Sequence, residues 1–201
     1  MRESDPESLV FLDCINEREW RRPLQVPLPW EVPLPVPVEM FQTIDRFAHM
    51  RNDQKEAGGV VDEGVDESMS PLEKNLSGLL GEVPLADYLG IPFDTATGLQ
   101  GDGGIVDLIY GGRTLQVKFN GYYFGDLYFR KEKPFSADVG ILVTSGRDRA
   151  TVVVKGWMFR EKFCELSAPK VYGKHASKPV DAVDQHRLRP IQHLPWELGI
   201  T

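Results

Sequence analysis

The chain has 201 residues, of which 41% are hydrophobic and 26% are charged, and its formal net charge is −7. These values are typical of a globular protein with its own core, and they exclude a protein that is basic over its whole surface. No run of residues approaches the roughly 20 apolar positions of a membrane-spanning helix. Two cysteines are too few for a disulfide framework, and the polar start is unlike a signal peptide, so we expect a cytoplasmic protein with no membrane partner.

The charge is distributed unevenly along the chain. Residues 1–70 hold 7 Lys and Arg against 15 Asp and Glu, whereas residues 113–162 hold ten basic residues against five acidic ones. A local positive surface can bind a polyanion even when the whole chain is acidic, although such a run can also be no more than solvated surface. We predict two parts: an acidic, proline-rich arm plus a helix over residues 1–70, and a domain over residues 71–201.

Within the arm, residues 23–37 contain six prolines. Proline fixes φ and has no backbone donor, so we expect extended chain here and neither a helix nor a central strand. Apolar residues alternate with the prolines, which favours an arm lying over the domain; a stiff linker and a ligand for a protein partner are the alternatives. A helix is predicted next, and Gly58-Gly59 is expected to end it. The apolar residues that recur at helical spacing are Met40, Phe41, Ile44, Phe47 and Ala48.

A second helix is predicted from Ser70. Ser70 is typical of an N-cap, Pro71 of the first helical position and Glu73 of a capping box. The proline at position 84 predicts a kink, or two short helices that meet near Glu82. Gly90 is expected to end the segment.

Four strands are predicted next, over residues 105–110, 114–119, 139–144 and 151–155, and a helix is expected to begin within "GWMFREKFCEL". The element order indicates a domain of the α+β class (mixed α/β). We expect a central mixed sheet of about four strands flanked by helices. A short strand or hook is expected near the C-terminal end.

The first two strands are separated by Gly111-Gly112, which is typical of a tight hairpin. A two-residue loop sets the register and places Asp107 opposite Gln116, with Lys118 on the same face. An aspartate and a glutamine oxygen are hard ligands that suit Mg²⁺, and a lysine can polarise a water or neutralise charge on a phosphate. An Asp–Lys ion pair on an exposed sheet face is the alternative interpretation.

The sequence "GGIVDLIYGGRTLQVKF" resembles the signature of the PD-(D/E)xK nuclease superfamily. Asp107 matches its first acid and Lys118 its lysine, while Gln116 corresponds to a Q-x-K variant of the motif. The upstream "GLLGEVPLADYLG" offers Glu82 where the family often has a helical glutamate. Three further short motifs add to the resemblance: "DGG" at residues 102–104, "GW" at 156–157 and "REKF" at 160–163. With them, the chain is similar to phage and prokaryotic nuclease-like proteins over residues 72–166.

The resemblance implies a restriction-endonuclease-like core and a Mg²⁺- or Mn²⁺-dependent endonuclease that acts on DNA. Glu82, Asp107 and Gln116 would hold the metal, and Lys118 would position the attacking water or stabilise the phosphate. Gln116 removes a negative charge from the pattern. A catalytically silent protein of the same fold, acting as a nucleic-acid-binding, assembly or adaptor module, is therefore the alternative.

Basic residues near this motif are candidates for DNA contact. Arg130, Lys131 and Lys133 follow the aromatic stretch at residues 119–129, and Arg147 and Arg149 lie in a predicted turn. Aromatics can stack on unpaired bases while the cations bind phosphates, although the same aromatics could instead cover the core. A homodimer is an open alternative, because sites of this kind often act in pairs on two strands.

Overall fold

A computed structural model describes residues 29–57, 69–93, 106–148, 150–172 and 179–200. Within these ranges the chain forms four α-helices and eight strands. The helices are α1 Val38–Ala57, α2 Pro71–Leu89, α3 Arg160–Leu166 and α4 Leu194–Glu197. The strands are β1 Val32–Pro35, β2 Leu108–Tyr110, β3 Arg113–Asn120, β4 Asp126–Arg130, β5 Val139–Ser145, β6 Thr151–Phe159, β7 Ala168–Lys170 and β8 Val180–Asp184.

The strands form two sheets. The larger sheet has the order β1-β6-β5-β3-β2, in which β3 and β5 are parallel and the other neighbours are antiparallel. The smaller sheet is antiparallel, with the order β4-β8-β7. The predicted α+β class with a mixed sheet is confirmed, but the main sheet has five strands where about four were expected, and a second sheet accompanies it. The restriction-endonuclease-like core stays a prediction.

Helix α2 follows the local signals of its sequence. Ser70 and Glu73 form a reciprocal capping box, and Gly90 ends the helix in the left-handed region with φ of 66°. Pro84 lies inside one helix that runs from residue 71 to residue 89. Of the two predicted outcomes, the pair of short helices meeting near Glu82 is therefore wrong, and the kink stays a prediction. The cost of the proline is offset because the turns around it are buried, and packing rather than propensity supplies most helical stability.

The hairpin has the predicted register. Leu108 pairs with Leu115, and Tyr110 pairs with Arg113. Gly111 and Gly112 both have positive φ, of 56° and 74°, as a primed two-residue turn requires. The first strand is shorter than expected, since β2 begins at Leu108 and residues 101–105 lie outside the described ranges.

In the described part of the chain, three apolar clusters hold the elements together. One lies between α2 and the main sheet and includes Leu85, Ile141 and Trp157. A second contains side chains of the main and smaller sheets and includes Leu142 and Phe129. The third joins α1 to α2, so that both long helices lie against the body that carries the main sheet.

The described part of the proline-rich arm forms an edge strand. β1 pairs with β6, and Leu34 is buried in the cluster under α2. β1 and α1 thus both pack against elements that follow residue 70, although the domain boundary placed there stays a prediction. The described residues contain no helix long and apolar enough to cross a membrane.

Strand β6 extends beyond its predicted end at Lys155. The pairing with β5 shifts at this point, because Leu142 lies opposite Gly156 and Val143 lies opposite Val154. Gly156 has φ of 144°, and a Cβ there would lie 2.5 Å from the carbonyl oxygen of Arg189. The helix expected within residues 156–166 therefore begins only at Arg160, because the preceding residues continue β6.

Candidate active site

Asp107 lies immediately before β2, at the edge of the main sheet. Its backbone N–H donates to the carbonyl oxygen of Leu115 over 2.9 Å, and its Oδ2 accepts from the N–H of Val117 over 2.6 Å. The two contacts flank Gln116 on β3. The sequence-predicted juxtaposition of Asp107 with Gln116 is therefore present, and the aspartate is fixed by the backbone of the strand that carries the rest of the motif.

The environment of Asp107 favours its neutral form. Burial, and then the nearby charge of Glu82, raise its pKa to about 7, while the Val117 N–H, Lys118 and Arg51 oppose that rise. The carboxylate of Glu82 is thus close enough to Asp107 to disfavour the charged form of that aspartate. A cation bound between two such acids would stabilise their charged forms.

Lys118 lies two residues beyond Gln116 on β3. Its Nζ is 5.0 Å from the centre of the Phe129 ring, on the side of the smaller sheet. Burial lowers its pKa, Asp107 and Glu82 raise it, and the positive charges of Arg130 and Lys133 lower it further. This lysine is consequently held between acids and other cations, close to Asp107.

Glu82 comes from the middle of α2 and is buried. The preceding residue, Gly81, lets the helix approach β3 closely, because an added Cβ would lie 3.1 Å from Cβ of Phe119. Oε2 of Glu82 accepts a hydrogen bond from Nη2 of Arg51 over 3.0 Å. Helix α2 therefore brings the acid to the sheet, and α1 supplies its counter-charge.

Gln116 is 4% exposed and pairs with Gly140 of β5 in the parallel ladder. With Glu82 and Asp107 it completes a set of two carboxylates and one amide, all of which offer hard oxygens that fit Mg²⁺ or Mn²⁺. Among the described residues, no three His, Cys, Asp or Glu side chains come together to hold a metal. A third protein ligand would thus be the amide of Gln116. The "DGG" residues 102–104 of the resembled pattern lie outside the described ranges.

The basic residues predicted to bind DNA separate into two groups. Arg130 and Lys133 lie close enough to Lys118 to affect its pKa, and Lys131 is exposed beside them. Arg147 instead contacts Tyr123, since its guanidinium group lies 4.8 Å from the centre of that ring. Arg149 lies outside the described ranges.

Arg51 is the site residue that sequence reasoning missed. It belongs to α1, and its partner Glu82 is 31 residues further along the chain. One turn later, Nζ of Lys55 donates to Oδ1 of Asn75 over 2.8 Å, so residues 51 and 55 face α2 together. The i, i+4 spacing of two basic residues was the available signal, but it does not identify which helix they face.

Glu82, Asp107, Gln116 and Lys118 thus come from one helix and one hairpin and lie around the start of β2. The four residues that the sequence singled out are neighbours in the fold, and Arg51 joins them from α1. No family model, curated protein or solved structure matches the chain.

Proposed function

We propose that the chain is a metal-dependent endonuclease that hydrolyses phosphodiester bonds in DNA. The observation that carries the proposal is the convergence of Glu82, Asp107 and Lys118 from separate elements. Glu82 is buried, Asp107 and Lys118 are half-buried, and both acids act electrostatically on the lysine. Removing charged groups from water costs free energy, and side chains with shifted pKa values, as Asp107 and Lys118 have, are concentrated at functional sites.

In this proposal Glu82 and Asp107 hold a divalent cation, and the amide oxygen of Gln116 contributes directly or through a water. When bound, Mg²⁺ or Mn²⁺ would offset charge on the reacting phosphate and lower the pKa of a bound water. The backbone N–H of Val117 donates to one oxygen of Asp107, and in this proposal the other oxygen binds the cation.

Lys118 has the role of positioning the attacking water or stabilising the phosphate oxygens. Its neighbours Asp107 and Phe129 restrict where the ammonium group can lie. A charged donor that is already oriented in a buried site interacts with developing charge more strongly than one in water.

DNA would approach over the end of β4. Arg130 and Lys133 are neighbours of Lys118, and Lys131 is exposed between them. Contacts from such residues to backbone phosphates supply affinity without sequence information, and they weaken as salt is added. This surface favours a polyanionic substrate beside the proposed site.

A second candidate function is favoured by two particular observations. Gln116 stands where an acid is commonest in the resembled motif, and Glu82 already has a cationic partner in Arg51. Two acids and two basic groups balance one another without a metal. This neutral arrangement suits a catalytically silent protein that binds nucleic acid through its basic surface.

Plasmid cleavage separates the two functions. Supercoiled DNA is incubated with the wild type, Lys118→Met and Asp107→Asn in Mg²⁺, in Mn²⁺ and in EDTA. We expect metal-dependent nicking by the wild type and a loss of about 100-fold or more in both variants, the scale typical of removing an oriented charged group. Lys162→Met is the matched control, because Lys162 pairs with Glu165 on the exposed surface of α3.

Cleavage by Lys118→Met at the wild-type rate contradicts the mechanism. Absence of nicking and of metal binding in the wild type, with DNA still retarded in a gel, supports the silent binding module.

A further inference from the structure

The Arg51–Glu82 ion pair joins the long helix α1 to the proposed metal site. Nη2 of Arg51 lies 3.0 Å from Oε2 of Glu82, and the two side chains are only 17% and 10% exposed. Arg51 also acts electrostatically on Asp107. One guanidinium group therefore pairs with one acid of the proposed metal site and acts electrostatically on the other.

We propose that Arg51 is the resident counter-ion of this site, and that a divalent cation must displace its guanidinium group from Glu82 in order to bind. The inference rests on the metal site of the proposed function. A guanidinium group and a divalent cation at the same buried carboxylate would repel each other strongly, because screening by water is weak there. Arg51 thus acts through Glu82 and is a positioning residue that sets metal affinity.

The packing of α1 allows the side chain to move while the helix stays in place. Ile44 and Ala48 of α1 are buried in the same apolar cluster as Leu76 and Leu79 of α2. One turn beyond Arg51, Lys55 remains bonded to Asn75. A change confined to the long Arg51 side chain would therefore be enough to exchange one cation for another.

Calorimetric titration with Mg²⁺ and Mn²⁺ tests the inference without reference to activity. Arg51→Gln should bind metal about tenfold or more tightly than the wild type, because it removes a competing positive charge while keeping a polar group beside Glu82. Lys55→Gln is the matched control on the same helix face, and its metal affinity should equal that of the wild type.

A second measurement uses the wild type itself and does not depend on the folding of Arg51→Gln. In a ¹⁵N NMR spectrum, the Nε–H resonance of Arg51, identified by its loss in Arg51→Lys, should shift as metal saturates the site. An unchanged Arg51 resonance at saturation would overturn the inference.

The failure of this inference differs from the failure of the proposed function. If the wild type binds metal and Arg51→Gln binds it equally or more weakly, Arg51 is not a competitor, and the metal site stands. If metal binding appears only in Arg51→Gln, the counter-ion role is supported, and the wild type is the silent module. If neither protein binds metal, both proposals fail.

Discussion

Glu31 and Lys155, 124 residues apart in the chain, form an ion pair of 2.9 Å with side chains only 2% and 1% exposed. Glu31 immediately precedes β1, and Lys155 lies at the register shift of β6. The hydroxyl of Tyr123 donates to the other oxygen of Glu31 over 2.7 Å, and Nζ of Lys155 lies 3.4 Å from the centre of the Tyr123 ring. The contacts among Glu31, Tyr123 and Lys155 therefore hold the start of β1 against β6.

Lys155→Met should strongly destabilise the protein. The substitution leaves the Glu31 carboxylate buried without its counter-charge, and breaking a buried pair in this way costs about 3–5 kcal/mol. The free energy of unfolding, measured with urea, checks this. Lys162→Met removes an exposed pair and should change that free energy by less than about 1 kcal/mol. The double variant Glu31→Gln/Lys155→Met should lose less than the sum of the two single variants, and strict additivity would contradict the coupling.

Tyr123 should make stability decrease at high pH. Burial, and then its hydrogen bond to Glu31, raise the pKa of Tyr123 to about 12. The unfolded chain loses this proton near pH 10 and the folded protein only near pH 12, so the free energy of unfolding falls across that window. The cost of Tyr123→Phe should accordingly be smaller at about pH 11 than at about pH 9. An equal cost at both values contradicts the assignment, and the exposed Tyr122→Phe controls for general loss of a hydroxyl.

Gly81→Val should disturb both stability and the site. A Cβ at this position would lie 3.1 Å from Cβ of Phe119 and 3.2 Å from Cγ1 of Val117, so a branched side chain must push α2 from β3. Overpacking of this kind costs about 1–3 kcal/mol, and the neighbouring Glu82 would move relative to Asp107. Urea unfolding and metal titration measure the two effects. Lys74→Val on the same helix is the control, and it should lose only about 0.5 kcal/mol of the free energy of unfolding through helix propensity. If Lys74→Val lost as much as Gly81→Val, close packing at Gly81 would not be the cause.

Ser70→Ala should weaken the start of the helix that carries Glu82. Oγ of Ser70 accepts from the N–H of Glu73 over 3.2 Å, and the Glu73 side chain accepts from the N–H of Ser70 over 2.5 Å. Loss of such a cap costs about 1 kcal/mol in the free energy of unfolding. Ser70→Asp keeps an acceptor and should remain close to the wild type in urea unfolding. Equal stability of the alanine and aspartate variants would show that the cap contributes little.

Local signals predicted the parts of the fold that depend on neighbouring residues. The cap at Ser70, the stop at Gly90 and the register across Gly111-Gly112 depend on contacts within a few residues, and all three are present. Because that register places Asp107 beside Gln116, most of the candidate site followed from the hairpin alone.

Contacts between distant segments were not predictable in this way. The smaller sheet was missed because β4 pairs with β8, beginning with Asp126 opposite Asp184, and neither short strand has an informative pattern by itself. Arg51 was missed for the same reason, since its role depends on how α1 lies against α2. The extension of β6 depends on Gly156 meeting Arg189 from the C-terminal end.

The prolines of β1 also decide how the main sheet ends. Pro33 and Pro35 lie opposite Val153 and Thr151, at the outer edge of the sheet, and neither has an N–H to offer to a further strand. Such an edge is a poor template for another molecule, which protects against edge-to-edge aggregation. Removing residues 1–37 to study the arm would uncover the long apolar strand β6, and the shortened protein would become prone to self-association. A truncation that ends before residue 29 would keep this protective edge.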